Sequence, residues 1–153
     1  MRALNESSQL PSPKDLKSFL YGKVCFRSEN FLASKIANEK FNVILCLSTL
    51  KYVHLTFGDN GVKCLFLRAF ASLEDEGLFI IDPQPWKSYK KAKRASETTL
   101  ENFNNIKLKP DMFKEYLEQI GFKILTTIAY PPDGALRYKD PKPLIVYQKL
   151  GHK

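Results

Sequence analysis

The sequence predicts an α/β fold: a mostly parallel sheet with an antiparallel pair of strands at its C-terminal end. Three observations carry this. The segments 41-FNVILCLS-48 and 78-LFIID-82 are short, nearly continuous apolar runs, the pattern of strands buried on both faces of a parallel sheet. Between them, 61–73 places Val62, Leu65, Phe66, Ala69, Phe70 and Leu73 on one face of a helix, as a crossover between parallel strands requires. Finally, 122-FKILTTIAY-130 and 144-LIVYQKL-150 follow one another with no helical pattern between them, so they are expected to pair antiparallel. Crossovers are taken as right-handed.

In chain order, residues 1–20 read as a flexible lead-in. Ser12 is placed to cap a short helix over 13-PKDLKSFLYG-22, with Gly22 at its end. The next segment, 23-KVCF-26, reads as a short strand. After the strand at 41–48, 58-GDNG-61 reads as a turn, with Asp59 and Asn60 capping the helix that follows. The helix stops at 74-EDEG-77 and the second buried strand stops at Asp82-Pro83. The polar stretch 92–105 reads as a partly helical insertion. Pro110 opens a helix over 111–120 in which Phe113, Tyr116, Leu117 and Ile120 share a face, and Gly121 suits its C-cap. The loop 131–143 is rich in proline and charge.

Composition removes several functional classes. With 153 residues and a hydrophobic fraction of 44%, the chain has enough apolar material for one core. No apolar run reaches the ~20 residues of a membrane span, and the first fifteen residues hold no secretory h-region. Three cysteines without a C-x-x-C pair give neither a disulfide framework nor a zinc signature. All three read as reduced core residues of an intracellular protein, nuclear rather than cytoplasmic. Only His54 and His152 are present, which excludes a multi-histidine metal centre.

The net charge is +8 and the isoelectric point about 9.4, which suits an anionic partner. In 87-KSYKKAKR-94, five of eight residues are basic, with Trp86 and Tyr89 beside them. Cations pair with phosphates and rings stack on unpaired bases, so this interleaving suits single-stranded RNA or a nucleic-acid end. A solvated charged loop is the plain alternative.

In an open parallel sheet, ligands bind beyond the carboxyl ends of the strands. Three such ends lie at 26-FRSENF-31, 47-LSTLKYVHL-55 and 82-DPQPW-86, and the basic segment follows the third directly. His54 orients a phosphate there or makes a structural hydrogen bond. Asp82 holds the strand end or acts on substrate. No nucleotide-loop, zincin or serine-nucleophile motif is present.

Two segments, 45-LCLSTLKYVHLTFGDNGV-62 and 80-IIDPQPWKSYKK-91, with 107-KLKPDMFKEYL-117 downstream, closely resemble the methylphosphate capping enzymes, the bicoid-interacting type of RNA methyltransferase. Tyr52 stands where that pattern usually has Trp, Thr56 where it has Asn, and Asp82 where it has Glu. The resemblance spans about residues 23–150. It implies a partial seven-stranded, Rossmann-like methyltransferase fold, with S-adenosyl-L-methionine as methyl donor. The acceptor implied is the 5′-terminal phosphate of a small RNA, with no membrane involved. On that reading Lys51, Lys87 and Lys90 position the phosphate. Tyr52, His54, Gln84, Trp86, Tyr89 and Lys91 face the RNA. Asn30 and Phe31 lie beside the donor's adenine, and Leu45, Cys46 and Leu47 line its pocket. The phosphate oxygen is already anionic, so the task is positioning rather than base catalysis.

The family's acidic, glycine-rich donor loop and its ribose-holding acid have no counterpart here; 21–150 matches the C-terminal part of the domain. In the strand order 3-2-1-4-5-7-6, the 42–47 strand then becomes an apolar edge open to self-association or to a partner strand, unless 23–26 re-pairs against it. Three functions remain in view: an RNA methyltransferase, a non-catalytic RNA-binding module, or a protein-interaction fragment.

Overall fold

The computed structural model describes residues 21, 24–33, 40–129 and 143–151. The lead-in and the expected 13–22 helix fall outside them. Residues 24–30 belong to an N-terminal unit ending at Asn30, separate from the unit Phe31–Lys153. They are exposed and have no regular structure. The strand expected at 23–26 is therefore not formed over its described residues, and Cys25 is exposed rather than core. A four-residue apolar patch without a paired neighbour does not hold a strand.

The larger unit begins its regular structure with β1 (Phe41–Cys46), followed by α1 (Leu50–Ser72) and β2 (Leu73–Ile81). Then come α2 (Trp86–Ala92), α3 (Glu97–Asn105), a 3-10 turn at Pro110–Met112 and α4 (Phe113–Gln119). Strands β3 (Phe122–Ile128) and β4 (Leu144–Lys149) complete it. The sheet order is β1-β2-β4-β3. β1 and β2 are parallel, with Cys46 opposite Ile81. β4 runs antiparallel to both β2 and β3. The expected C-terminal antiparallel pair and parallel first pair are both present. The expectation of a mostly parallel sheet is corrected: only one of three pairings is parallel. β1, β2 and β3 point the same way, but the reversed β4 is inserted between β2 and β3.

The core lies on one face of this sheet. Phe66 of α1 is fully buried and meets the Phe79 and Phe113 rings edge-on at 6.0 and 5.3 Å. Leu117 and Phe122 extend the same cluster. Gly121, at φ +106, ends the segment after α4 as its residue type suggests. Along β1, Phe41, Val43 and Leu45 are exposed, Leu45 by 62%. Among the described residues no strand pairs with the outer edge of β1. No helix among these residues is long and apolar enough to cross a membrane.

One helix departs from its sequence outline. The helix expected from 61 is preceded by a further helical stretch from Leu50, and the two halves of α1 meet at a kink at Gly58, within the turn expected at 58–61. Gly58 has φ 63 and ψ −164, a region open in practice only to glycine. The kink changes the direction of the helix and brings Asp59 back toward residues on the first half.

Candidate nucleic-acid interface

Parallel pairing places the carboxyl ends of β1 and β2 side by side. Beyond them, Ser48 turns through φ 54, a left-handed conformation costly for a non-glycine residue. Asp82 holds it there. Its carboxylate accepts the Ser48 N–H at 2.6 Å and the Ser48 hydroxyl at 3.1 Å, and also the Gln84 amide at 3.3 Å. Asp82 and Gln84 are thus engaged with each other and with the strand ends. Burial, with Asp82 adding to it, pushes the Cys46 thiol up to about 12, so it stays protonated.

The first half of α1 carries Lys51 and Tyr52 outward and His54 inward. Tyr52 is exposed, and the Lys51 ammonium lies 4.9 Å from its ring centre. Neither a side-chain cap nor an acidic residue occupies the first turn of α1; the nearest carboxylate is that of Asp82 on Ser48, just before it. His54 has 0% exposure. Its Nε2 lies 2.9 Å from Asp59 Oδ1 and its Nδ1 3.3 Å from the Tyr89 hydroxyl. Ionised Asp59 can only accept, so Nε2 carries the proton and Tyr89 donates to Nδ1. The second oxygen of Asp59 accepts the backbone N–H groups of Lys107 and Leu108 at 3.0 and 3.1 Å. Asn102 on α3 donates to the carbonyls of Leu55 and Thr56, both at 2.9 Å, satisfying acceptors that the kink leaves without helical partners. Four separate segments are thereby tied around one buried imidazole.

Burial lowers the His54 pKa, and the Asp59 contact opposes this by less. For Asp59, burial pushes the carboxyl up. The hydrogen bonds from His54, Lys107 and Leu108 outweigh it and hold the group below its ordinary value. Burial also raises the Tyr89 phenol.

On α2, Lys87, Lys90 and Lys91 share one exposed face while Tyr89 points inward and is fully buried. The basic run is therefore a helix face anchored through Tyr89 to His54. Trp86 stacks on Phe103 of α3, with centroids 4.6 Å apart and planes 10° from parallel, and lies 5.1 Å from Tyr89. Lys109 approaches its ring at 5.8 Å.

The residues expected to face RNA therefore divide. Lys87, Lys90 and Lys91 are exposed on α2, Tyr52 is exposed on α1 with Lys91 lining the same cleft, and Lys51 is half-buried beside Tyr52. His54 and Tyr89 offer no surface, because they are hydrogen-bonded to one another beneath it. Burial corrects the expectation that they face RNA directly, and for His54 it meets the alternative of a structural hydrogen bond. Phe31 packs against Arg68, in the last two turns of α1; Leu45 and Cys46 end β1, and Leu47 follows it before the start of that helix. Asn30 lies in the other unit. Asp59, expected as a helix cap, instead bridges His54 and the 107–108 backbone. Asn102 gave no sequence signal within its polar stretch.

Residues 41–149 match the family profile described as Bicoid-interacting protein 3 (Bin3). The chain is 39% identical over 128 residues to a probable RNA methyltransferase of Arabidopsis thaliana, covering 82% of this chain and 40% of that protein. It is 38% identical over 104 residues to the human 7SK snRNA methylphosphate capping enzyme, covering 67% of this chain and 15% of that one. A pre-miRNA 5′-monophosphate methyltransferase of Xenopus laevis is 30% identical over 87 residues, covering 54% of this chain and 33% of that protein. The chain thus spans less than half the length of these relatives. An S-adenosylmethionine-dependent methyltransferase of Clostridium acetobutylicum shares the fold, with a TM-score of 0.54 at 11% identity over 90% of this chain and 71% of that one. The chain belongs to the Bicoid-interacting protein 3 family of RNA methyltransferases.

Proposed function

We propose that this chain binds the phosphate-bearing 5′ end of a small RNA and forms the acceptor side of an RNA methyltransferase. The observation that carries the reading is the exposed face of Lys87, Lys90 and Lys91, fixed through Tyr89 and His54 to the helix bearing Lys51. All of it lies beyond the carboxyl ends of the parallel strands. Relatives named as methylphosphate capping enzymes and 5′-monophosphate methyltransferases support the terminal phosphate as the group bound. Replacing Lys87, Lys90 and Lys91 by Ala is expected to weaken binding of a 5′-phosphorylated oligoribonucleotide. It is also expected to reduce the slope of log K against log salt by about 2, at about 0.7 per lost contact on a single strand. A folded triple variant with wild-type affinity and slope, measured by anisotropy at several salt concentrations, overturns the reading.

The described residues do not fit the methyl donor of this family. Asp82, the acid at the strand ends, has its carboxylate engaged by Ser48 and Gln84. We therefore derive no transfer step. Titration calorimetry of the 153-residue chain is expected to show no S-adenosyl-L-methionine binding at micromolar donor; a micromolar or tighter constant contradicts this.

A further inference from the structure

A cleft of about 370 Å³ opens between the first half of α1 and the turn joining α2 to α3. Its size is that of a small-ligand site. Leu55, Ala92 and Ala95 contribute apolar walls, and the small alanines leave it room. Tyr52, 60% exposed, stands along it, and the exposed Lys91 and Arg94 flank the opposite side. Among the described residues that line it, none is acidic. A flat apolar body carrying negative charge suits such a space, as an aromatic wall and two cations suit a base and its phosphate. The Lys51 ammonium lies over the Tyr52 ring, so the cleft begins where the proposed terminal-phosphate site ends.

We infer that this cleft is a subsite for an unpaired RNA nucleotide downstream of the terminal phosphate, with the base against Tyr52 and the backbone phosphate between Lys91 and Arg94. The inference rests on the proposed RNA reading of the neighbouring surface and adds the place where the strand continues. Recognition is by stacking and charge rather than by base edges. The Thr99 hydroxyl on the cleft wall already donates within its own turn, 2.9 Å from the Lys93 carbonyl. Purines are therefore favoured over pyrimidines only through their larger stacking area.

The test uses the full chain and an unpaired, 5′-phosphorylated hexaribonucleotide, with single abasic residues placed in turn at its first three positions. One abasic position is expected to weaken binding about tenfold, within the range for losing one base–aromatic stack. Ala95→Trp fills the cleft without changing charge. It is expected to weaken the intact oligonucleotide about tenfold and to remove the abasic effect. Tyr52→Leu, which keeps apolar bulk and loses the ring, is expected to do the same in smaller degree. Arg94→Ala is expected to weaken binding about threefold and to lower the salt slope by about 0.7. If all three variants bind as wild type while Lys87→Ala/Lys90→Ala loses affinity, the subsite is wrong and the terminal-phosphate reading survives. Equal affinity for every abasic oligonucleotide also overturns the subsite. If the wild-type chain binds none of the oligonucleotides, both readings fall.

Discussion

Asp59→Ala is expected to lower the stability of the chain by about 2–4 kcal/mol, read from urea unfolding near pH 7.5. The change removes the acceptor of the buried His54 N–H and of two backbone N–H groups. Each unsatisfied donor costs about 1–3 kcal/mol where water cannot reach it, and less here because Asp59 is partly exposed. The same cluster sets a pH dependence. His54 is held neutral by burial, so its folded pKa lies below the ordinary value near 6.5. Between those two pKa values the unfolded chain binds the extra proton, and stability falls as pH drops below about 6.5, by at most about 1.4 kcal/mol per pH unit. Asp59 acts in the same direction at lower pH. Its folded pKa is depressed, so its contribution is full above the ordinary carboxylate range and is lost as pH falls through the folded value. His54→Gln keeps a donor toward Asp59 and is expected to remove the step near pH 6.5, leaving the carboxylate decline below about pH 4. A wild-type profile flat from pH 8 to pH 5 contradicts this account.

Trp86→Ala is expected to lower stability by about 2–3 kcal/mol while leaving RNA affinity within about twofold at temperatures where the variant is folded. Full burial of a Trp would make this truncation cost about 3–5 kcal/mol; Trp86 is only half-buried, so the lower figure applies. Its ring is stacked on Phe103 and lies against Tyr89, and through them it fixes α2 and α3 to the kinked helix. The basic context of Trp86 alone suits stacking on a base, but the structure supplies a protein ring for that role. Trp86→Phe, which retains a stacking partner for Phe103, is expected to recover most of the stability. Thermal unfolding alongside RNA titration separates the alternatives. An unchanged melting temperature with a tenfold loss of affinity would place the ring on the RNA.

The sequence alone determined the parallel pair β1–β2, the helix between them, the C-terminal antiparallel pair and the family. Two continuous apolar runs and a 3.6-residue period are local consequences of one-sided or two-sided burial, so they can be read without the fold. The same holds for the basic run after β2. Other features depended on residues distant in the chain. The 23–26 segment has strand-like composition, yet composition supplies no pairing partner. The turn at 58–61 and the helix after it were legible, but nothing local shows that helix also precedes the turn from Leu50 or that Asp59 turns back on His54. The insertion of β4 between β2 and β3 left no local sign in the residues; it is the 4-5-7-6 part of the strand order that the family resemblance implies. His54 and Tyr89 looked available for RNA because polar aromatic residues beside cations suggest a surface; only the tertiary structure showed them buried against each other, 35 residues apart. Their positions follow from satisfying buried donors and acceptors across the chain, and that condition can be met only once the segments that supply the partners have been brought together.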